Sequence, residues 1–405
     1  MSRFIQIHTL TSYPASLLNR DDAGFAKRIP FGDGTRTRIS SQCLKRHWRG
    51  FDGRESLRDA GAPMSMRSRI TLDHEVFQVL KKEGVDEALA REVTEQVKGA
   101  IFGKSDKAKA KEEAAEKKAT TDTAITAPAG RTEQVTVLGR PEIEYFLTHA
   151  RAVCAEKPAL KEVKAKVEAR FKDARKNLEA LRTGAGLDAA LFGRMVTSDI
   201  LARCDAAVHV AHAFTVHTEF AETDYFSAID ELEREREDAQ LGSGHIGTAE
   251  LTSGLFYNYV AVDVPLLVSN IEGCDAKAWQ KADRALAAEV TRRLVHMLAT
   301  VSPGAKLGST APHAYAQAVF VERGDAQPRT LANAFLRSVS KNDLLGNAYK
   351  ALDEHVAAFD GMYGWDGARA HAAMPASSPL PAERFGAKVD LPSLAKWTAG
   401  QIVEG

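Results

Sequence analysis

The chain has 405 residues, 44% of them hydrophobic, with 54 basic and 54 acidic side chains. That length and apolar fraction allow a sizeable core, in two or three domains or one elaborated domain. No apolar run approaches the roughly 20 residues of a membrane span, and Met1-Ser2-Arg3-Phe4-Ile5-Gln6-Ile7 lacks the apolar core of a signal peptide. Cys43, Cys154, Cys204 and Cys274 are scattered with no CxxC pair, which speaks against a zinc knuckle or a disulfide framework. A soluble cytoplasmic protein is the expectation. Zero net charge argues against a surface that coats nucleic acid all over, but the charge is uneven. Residues 1–54 hold ten basic and four acidic side chains, so this end carries +6 and the remainder −6. Phosphate binding, if present, belongs at the N-terminal end.

In chain order, Phe4 to Leu10 reads as a strand. Residues 11–38 have no helical period and are punctuated by Pro14, Gly24, Pro30, Gly32 and Gly34, which predicts a long loop of the kind that binds something. A helix is expected to start near Ser40 or Ser41, either of which can cap it, with Leu44 and Trp48 on its apolar face. Residues 71–102 look helical, 104–134 are a low-complexity Lys/Ala/Glu/Thr stretch read as a solvated helix and a mobile loop, and 141–182 return to helical patterning, with a charged helix from Ala159 to Leu181. Ala206 to Phe220 reads as a strand. A charged stretch follows at Asp230–Asp238, then the Gly-rich turn Gly242-Ser243-Gly244-His245-Ile246-Gly247. Leu255 to Val264 alternates, with Leu255, Tyr257, Tyr259 and Ala261 on one face and Phe256, Val260, Val262 and Val264 on the other. A helix over 276–300, a strand over Ala314–Val321 and helices at 330–339 and 343–358 come next. The proline-bearing stretch from Met374 to Pro392 reads as mostly irregular.

Without the insertions, strands and helices follow in the order of an α+β fold with helices on one face of an antiparallel sheet. The ferredoxin-like or RRM-like arrangement is its commonest form, and it commonly presents an open sheet face and loops to single-stranded RNA.

The segment with the densest chemistry is Arg36-Thr37-Arg38-Ile39-Ser40-Ser41-Gln42-Cys43-Leu44-Lys45-Arg46-His47-Trp48-Arg49. Five basic residues, two hydroxyls and an amide surround a helix start, where free N–H groups favour phosphate. Lys45 and Arg49 are four apart and share a helix face. The ordinary alternative is a basic amphipathic helix with capping serines.

This segment resembles a known family. Asn19-Arg20-Asp21-Asp22, Lys27, Phe31-Gly32, Arg38-Ile39-Ser40-Ser41-Gln42 and Leu44-Lys45-Arg46 are similar to the opening of the CasC proteins, the Cse-type backbone subunits of type I-E Cascade, the CRISPR RNA-guided DNA surveillance complex. The resemblance continues in Gly193-Arg194-Met195, Ala211-His212-Ala213, His245-Ile246-Gly247-Thr248, Ser253-Gly254-Leu255-Phe256-Tyr257, Val295-His296-Met297-Leu298-Ala299-Thr300 and Pro303-Gly304-Ala305-Lys306. It covers nearly the whole chain in one order. The stretch 104–134 and the acidic run Glu231–Asp238 look longer than the family's.

The resemblance implies a hand-like α+β protein. Its modified RRM-like palm comprises 1–58, 193–204 and 248–405, its helical fingers insertion 59–192, and its protruding β-hairpin thumb 205–247. It implies a non-catalytic scaffold without metal or cofactor, whose copies stack head to tail along the CRISPR RNA, present it to the target DNA strand, and assemble with CasA, CasB, CasD and CasE. Chemistry and resemblance together make Arg20, Lys27, Arg38, Ser40, Ser41, Gln42, Lys45, Arg46, Arg49 and Lys306 the candidate RNA-binding residues. Met195 and the thumb residues Tyr225, Phe226 and Ser227 are candidates to wedge beside a base turned out of the strand, with core packing as the alternative for Met195, Tyr225 and Phe226.

Other chemistry is weaker. His209, His212 and His217 lack a converging carboxylate, and in an extended strand His209 and His212 point to opposite faces, so a structural role is expected. Pro303 to Thr310 lacks the order of a phosphate-binding P-loop. Asp21 and Asp22 are the serious rival: paired carboxylates in a loop can hold magnesium and cleave RNA, as backbone subunits of type III CRISPR complexes do with a loop aspartate. Arg20, Lys27 and Arg28 surround the pair and suffice to explain it.

Overall fold

The computed structural model describes residues 3–103, 128–179, 181–194, 201, 204–228, 245–375 and 378–404, the side chains of 226–228 and 245–246 excepted. The low-complexity stretch over 104–127, the acidic run Glu231–Asp238 and the first half of the expected Gly-rich turn, Gly242-Ser243-Gly244, lie outside the described residues; its second half, His245-Ile246-Gly247, is not a turn but opens a strand. The chain divides into two compact units, one of Met1–Ser56, His209–Val262 and Ala288–Gly405, the other of Leu57–Val208 and Asp263–Ala287. The protein is a mixed α+β molecule built on one large, mostly antiparallel sheet.

The described strands are β1 (Phe4–Ser16), β2 (Arg28–Phe31), β3 (Gly34–Ile39), β4 (Met66–Ser68), β5 (Thr136–Leu138), β6 (Val208–Val210), β7 (Ala213–Thr215), β8 (Ala221–Ala228), β9 (His245–Asp263), β10 (Ala316–Gly324), β11 (Ala368–Ala373) and β12 (Ala387–Lys388). The large sheet runs β12-β11-β10-β1-β9-β7-β3-β2, with β6 and β8 also paired to β9. The short β12 runs parallel to β11, whereas β1–β10, β10–β11, β2–β3, β3–β7, β7–β9 and β8–β9 are antiparallel.

In the first unit, β1 lies between β10 and β9, and its residues from Phe4 to Thr11 are all buried. The alternation that suggested one covered face in β9 continues on both. Leu10, Leu255, Tyr257 and Phe320 pack against Leu331, Phe335, Tyr349, Leu352 and Phe385. Ile5, Ile7, Phe256, Val260, Val262, Val319 and Val321 point the other way and are equally buried, and the helix Leu391–Val403 packs against β10 and β11. The central strands therefore have no open face, in contrast to the expectation of helices on one side only. The basic segment lies on β3, next to the edge strand β2, and on the helix Ser41–Gly50 that follows it.

One buried polar network crosses this sheet. His8 on β1 places Nδ1 2.9 Å from the Tyr257 hydroxyl and Nε2 3.2 Å from Glu322 on β10. Arg329 and Arg369 donate to the two Glu322 oxygens at 2.5–2.9 Å, and Arg369 also pairs with Asp360. Burial pushes the Glu322 carboxyl up, but the bonds from His8 and Arg329 outweigh it and hold it well below the usual carboxylate range. Burial lowers the His8 pKa, against the hydrogen bond and charge of Glu322, which raise it.

The second unit is mainly helical. A π turn at Asp73–Phe77, the helices Gln78–Lys82, Glu87–Phe102, Arg140–Ala155, Leu160–Arg170 and Ala174–Glu179, and the β4–β5 pair enclose a core of Leu80, Val93, Val97, Phe146, Val153 and Phe171 among others. Here too an ion pair is buried: Arg194 reaches Glu142 at 2.6 and 2.8 Å. Glu142 also accepts the Gly139 amide at 3.0 Å, which caps its own helix.

Several sequence expectations need correction. Residues 11–38 are not one long loop: β1 continues to Ser16, and β2 and β3 form a hairpin turning at Gly32, whose φ is +61°. Pro30 and the glycines are turn and edge-strand residues, because β2 ends the sheet and Pro costs no ladder bond there. The strand expected over 206–220 is split at Ala211-His212 into β6 and β7. The charged helix from Ala159 to Leu181 breaks after Arg170. The helix over 276–300 is a 3-10 segment, Ala276–Lys281, followed by an α-helix, Ala285–Thr300.

Glu322→Gln leaves Arg329 and Arg369 without a charged partner on β10. It should cost about 3–5 kcal/mol, as breaking a buried ion pair does. Chemical denaturation checks this, and a loss below about 1 kcal/mol would mean that the network contributes little to stability.

Candidate nucleic-acid interface

The helix of the basic segment, α1 (Ser41–Gly50), begins where expected. Ser40 is its N-cap: its hydroxyl oxygen accepts the Cys43 amide at 3.3 Å. The Ser40 amide donates to Asn19 Oδ1 at 2.9 Å, so the helix start is tied to the preceding loop. Leu44 and Trp48 are buried, while Gln42 and Arg46 are exposed and Lys45 and Arg49 half-buried. Ser40 and Ser41 are only 7% and 8% exposed.

The loop before β2 is held from several sides. Ala305 donates its amide to the Leu17 carbonyl at 2.9 Å, and the Cys43 thiol faces the Leu18 carbonyl at 3.9 Å. Lys306 therefore follows a residue docked on the same loop that meets α1. Arg20 bridges Ala26, and Lys27 donates its amide to the Asn19 carbonyl at 2.9 Å. The Ala26 amide donates to Glu250 at 2.6 Å, and Arg28 pairs with Glu219 and Glu250. Glu250 lies on β9, opposite Thr223 of β8. The loop is thus pinned to the base of the β8–β9 hairpin.

On the other side, Arg38 Nη1 donates to His212 Nδ1 at 3.1 Å and Nε to the Arg28 carbonyl at 3.1 Å. Burial lowers the His212 pKa, and the charges of Arg38, Lys27 and Lys45 lower it further. The Cys43 thiol is pushed up by burial, against the opposing fields of Arg46 and Lys27. Arg38 touches His212; the field of Lys27 reaches both groups, that of Lys45 reaches His212 and that of Arg46 reaches Cys43. Among the described residues Arg20, Lys27 and Arg46 have no ion-pair partner. Cations such as these three are suited to phosphate.

Not every predicted feature joins it. Arg36, one of the five basic residues of the segment, is fully buried: it bonds the Phe31 and Phe335 carbonyls and pairs with Asp33 at 2.8 Å. It holds the β2–β3 turn. Asp21 closes the turn after Arg20 by accepting the Phe25 amide at 2.9 Å, while Asp22 is exposed. Among the described residues no group of three or more metal-binding side chains converges. Tyr225 on β8 is 62% exposed and faces Thr248 across the hairpin. The backbones of Phe226 and Ser227 pair with Gly247 and Ile246, but their side chains, and all of Met195, lie outside the described residues. Arg194 before it is the buried partner of Glu142.

The sequence reading missed His212 as a site residue. Treating it as part of one strand hid that β6 and β7 break there and turn its ring toward Arg38. The only local signal is a histidine flanked by alanines at a strand break.

An α+β protein with a cationic face gathered beside an exposed hairpin is the class that fold and site define. The sequence matches the family of CT1975-like proteins, Cas_CT1975, over residues 5–397, and the chain belongs to that family. Its fold is similar to a chain of a solved "CRISPR RNA-guided surveillance complex, pre-nicking", with a TM-score of 0.74, 24% identity and coverage of 98% of this chain and 100% of that one. A chain of another "CRISPR RNA-guided surveillance complex" aligns with a TM-score of 0.55 and 21% identity, over 98% of each chain. No curated protein sequence matches. No helix among the described residues is long and apolar enough to cross a membrane.

If the cations converge, His212 should titrate below its ordinary value, and Lys27→Ala and Lys45→Ala should each raise its midpoint. NMR of the imidazole protons measures this; a midpoint indifferent to both substitutions would show that the lysines do not face the ring.

Proposed function

We propose that this chain is a non-catalytic, CRISPR RNA-binding backbone subunit of a type I-E Cascade complex, of the CasC kind. In this reading it acts in the cytoplasm. Copies line up along the CRISPR RNA, hold it through its phosphates and present it to the target DNA strand, alongside CasA, CasB, CasD and CasE. The sheet with its loops is an RRM-like palm, the mainly helical unit contains the fingers, and the β8–β9 hairpin is the thumb.

The observation that carries this is Arg38 bonded to His212, with the charges of Lys27 and Lys45 also reaching that ring, in a chain of this family. Its zero net charge makes that local concentration meaningful, because a generally basic surface would place cations together by chance. Arg20, Ser40, Ser41, Gln42, Arg49 and Lys306 belong to the same loop and helix or to the segment docked on them, and extend the track. Tyr225, with Phe226, Ser227 and Met195, supplies the base wedge in this reading. The rival, a metal-dependent RNA endonuclease using Asp21 and Asp22, finds little support: Asp21 is engaged in closing its turn.

Purification of the full chain from cells that express a CRISPR array tests the proposal. Bound RNA of uniform length is expected, and no bound nucleic acid would overturn the reading. Lys27→Ala with Arg46→Ala should weaken binding alike for all sequences and reduce the salt slope by roughly one for each phosphate no longer neutralised. A sequence-selective loss would mean that they read bases.

Incubation of the RNA-bound protein with magnesium addresses the rival. No regular cleavage is expected, and Asp21→Ala with Asp22→Ala should change nothing. Evenly spaced cuts abolished by that pair would establish the nuclease.

A further inference from the structure

The turn that carries Asp21 also carries an aromatic ring that the fold leaves half exposed. Phe25 is 50% exposed, while its neighbour Ala26 is 2% exposed. Its backbone is held on both sides. Asp21 donates its amide to the Phe25 carbonyl at 2.8 Å, and the Phe25 amide donates to Asp21 Oδ1 at 2.9 Å. Gly24 donates to the Asp21 carbonyl at 3.2 Å and adopts φ +93°, which suits glycine. The Ala26 amide is fixed by the buried carboxylate of Glu250, and the Arg20–Ala26 bridge closes the base of the turn. No heavy atom would lie within 4 Å of a Cβ on Gly24, so that side of the turn is open.

A large apolar side chain on a tightly bonded turn gains nothing from solvent, and it makes none of the ring contacts that Tyr13, Phe31 or Phe214 make within the first unit. Two cations flank the ring: Arg20 stands at the base of the turn and Lys27 two residues on, both without ion-pair partners among the described residues, while the carboxylates of Asp21 and Asp22 lie within the turn itself. Cations that track phosphates, interleaved with an aromatic platform, are the composition of sites for single-stranded nucleic acid. Within a duplex the base faces are occupied by neighbouring bases, so a solitary ring on a turn has a surface to meet only where a base is unstacked.

We propose that Phe25 is a base-stacking residue, and that the rigid turn Asp21–Phe25 presents its ring to an unstacked base of a single strand whose phosphates lie on Lys27 and Arg20. This rests on the RNA-binding reading and names an interaction beyond it. A lone exposed phenylalanine is also compatible with a protein partner, which the experiment separates.

The full chain is titrated with a single-stranded RNA and with an abasic strand of the same length, which keeps the phosphates and lacks the bases, at several salt concentrations. Phe25→Ala should weaken binding to the RNA by roughly five- to one-hundred-fold, the range that removing one base–aromatic stack gives. The salt slope should stay unchanged because every phosphate keeps its cation. Binding to the abasic strand should be the same for both proteins. Phe25→Tyr should bind as the parent does, and Phe25→Leu, which keeps apolar area without the π face, should be weakened; the pair also serves if the alanine variant folds poorly.

Unchanged RNA affinity of Phe25→Ala, in a protein that binds RNA and loses affinity with Lys27→Ala, overturns the stacking role alone. A Phe25→Leu variant as tight as the parent, an equal loss on the abasic strand, or loss of self-association without RNA also overturns it. Failure of the parent to bind RNA overturns the underlying reading.

Discussion

Glu250 stands at the base of the β8–β9 hairpin, 7% exposed, and divides its carboxylate between two partners. One oxygen accepts the Ala26 amide and the other pairs with Arg28. A carboxylate moved out of water must be compensated by partners of this kind. Those partners lie on the very loop that leads from β1 to the β2–β3 hairpin, so the loop is locked to the hairpin and cannot wander. Its remaining ties, to Ser40 through Asn19 and to Ala305 through Leu17, then place α1 and the segment of Lys306 against the same short stretch of chain.

The fate of each cation in that region follows from what it meets. Arg28 is spent on Glu219 and Glu250, and Arg36 is buried in the turn with Asp33. Arg38 leans on His212 and a carbonyl and meets no carboxylate among the described residues. Lys27 and Arg46 meet no carboxylate among the described residues. The surplus of positive charge at the N-terminal end is therefore divided into structural cations and a smaller group able to meet phosphate. That division, more than the surplus, defines the candidate site.

Behind the site, the first unit is stiffened by a sheet whose central strands are covered on both faces. The network of His8, Glu322, Arg329 and Arg369 crosses three of its strands. In the second unit Arg194 and Glu142 make a comparable buried pair. Breaking such pairs is expensive, although their net worth against an apolar core is small. Their effect is to specify one arrangement of the strands and helices that carry them.

Much was legible in the sequence. The cap at Ser40, the apolar pair Leu44 and Trp48, the alternation from Leu255 to Val262 and the basic bias of the N-terminal end are local patterns, set by helix and strand periodicity and by side-chain chemistry. The β2–β3 hairpin was not legible, because its Pro and Gly read as loop punctuation until β2 is known to be an edge strand. Nor was the difference between Arg36, Arg38 and Arg28. All three are arginines in one basic stretch, and only strand pairing decided that the first is buried, the second faces His212 and the third meets two glutamates about 190 and 220 positions away. By itself the sequence determined the capped start of α1, the alternation of β9 and where the cations are concentrated. The tertiary structure decided which of those cations remain uncompensated, since compensation depends on carboxylates and carbonyls that are distant along the chain and are brought near only by the sheet.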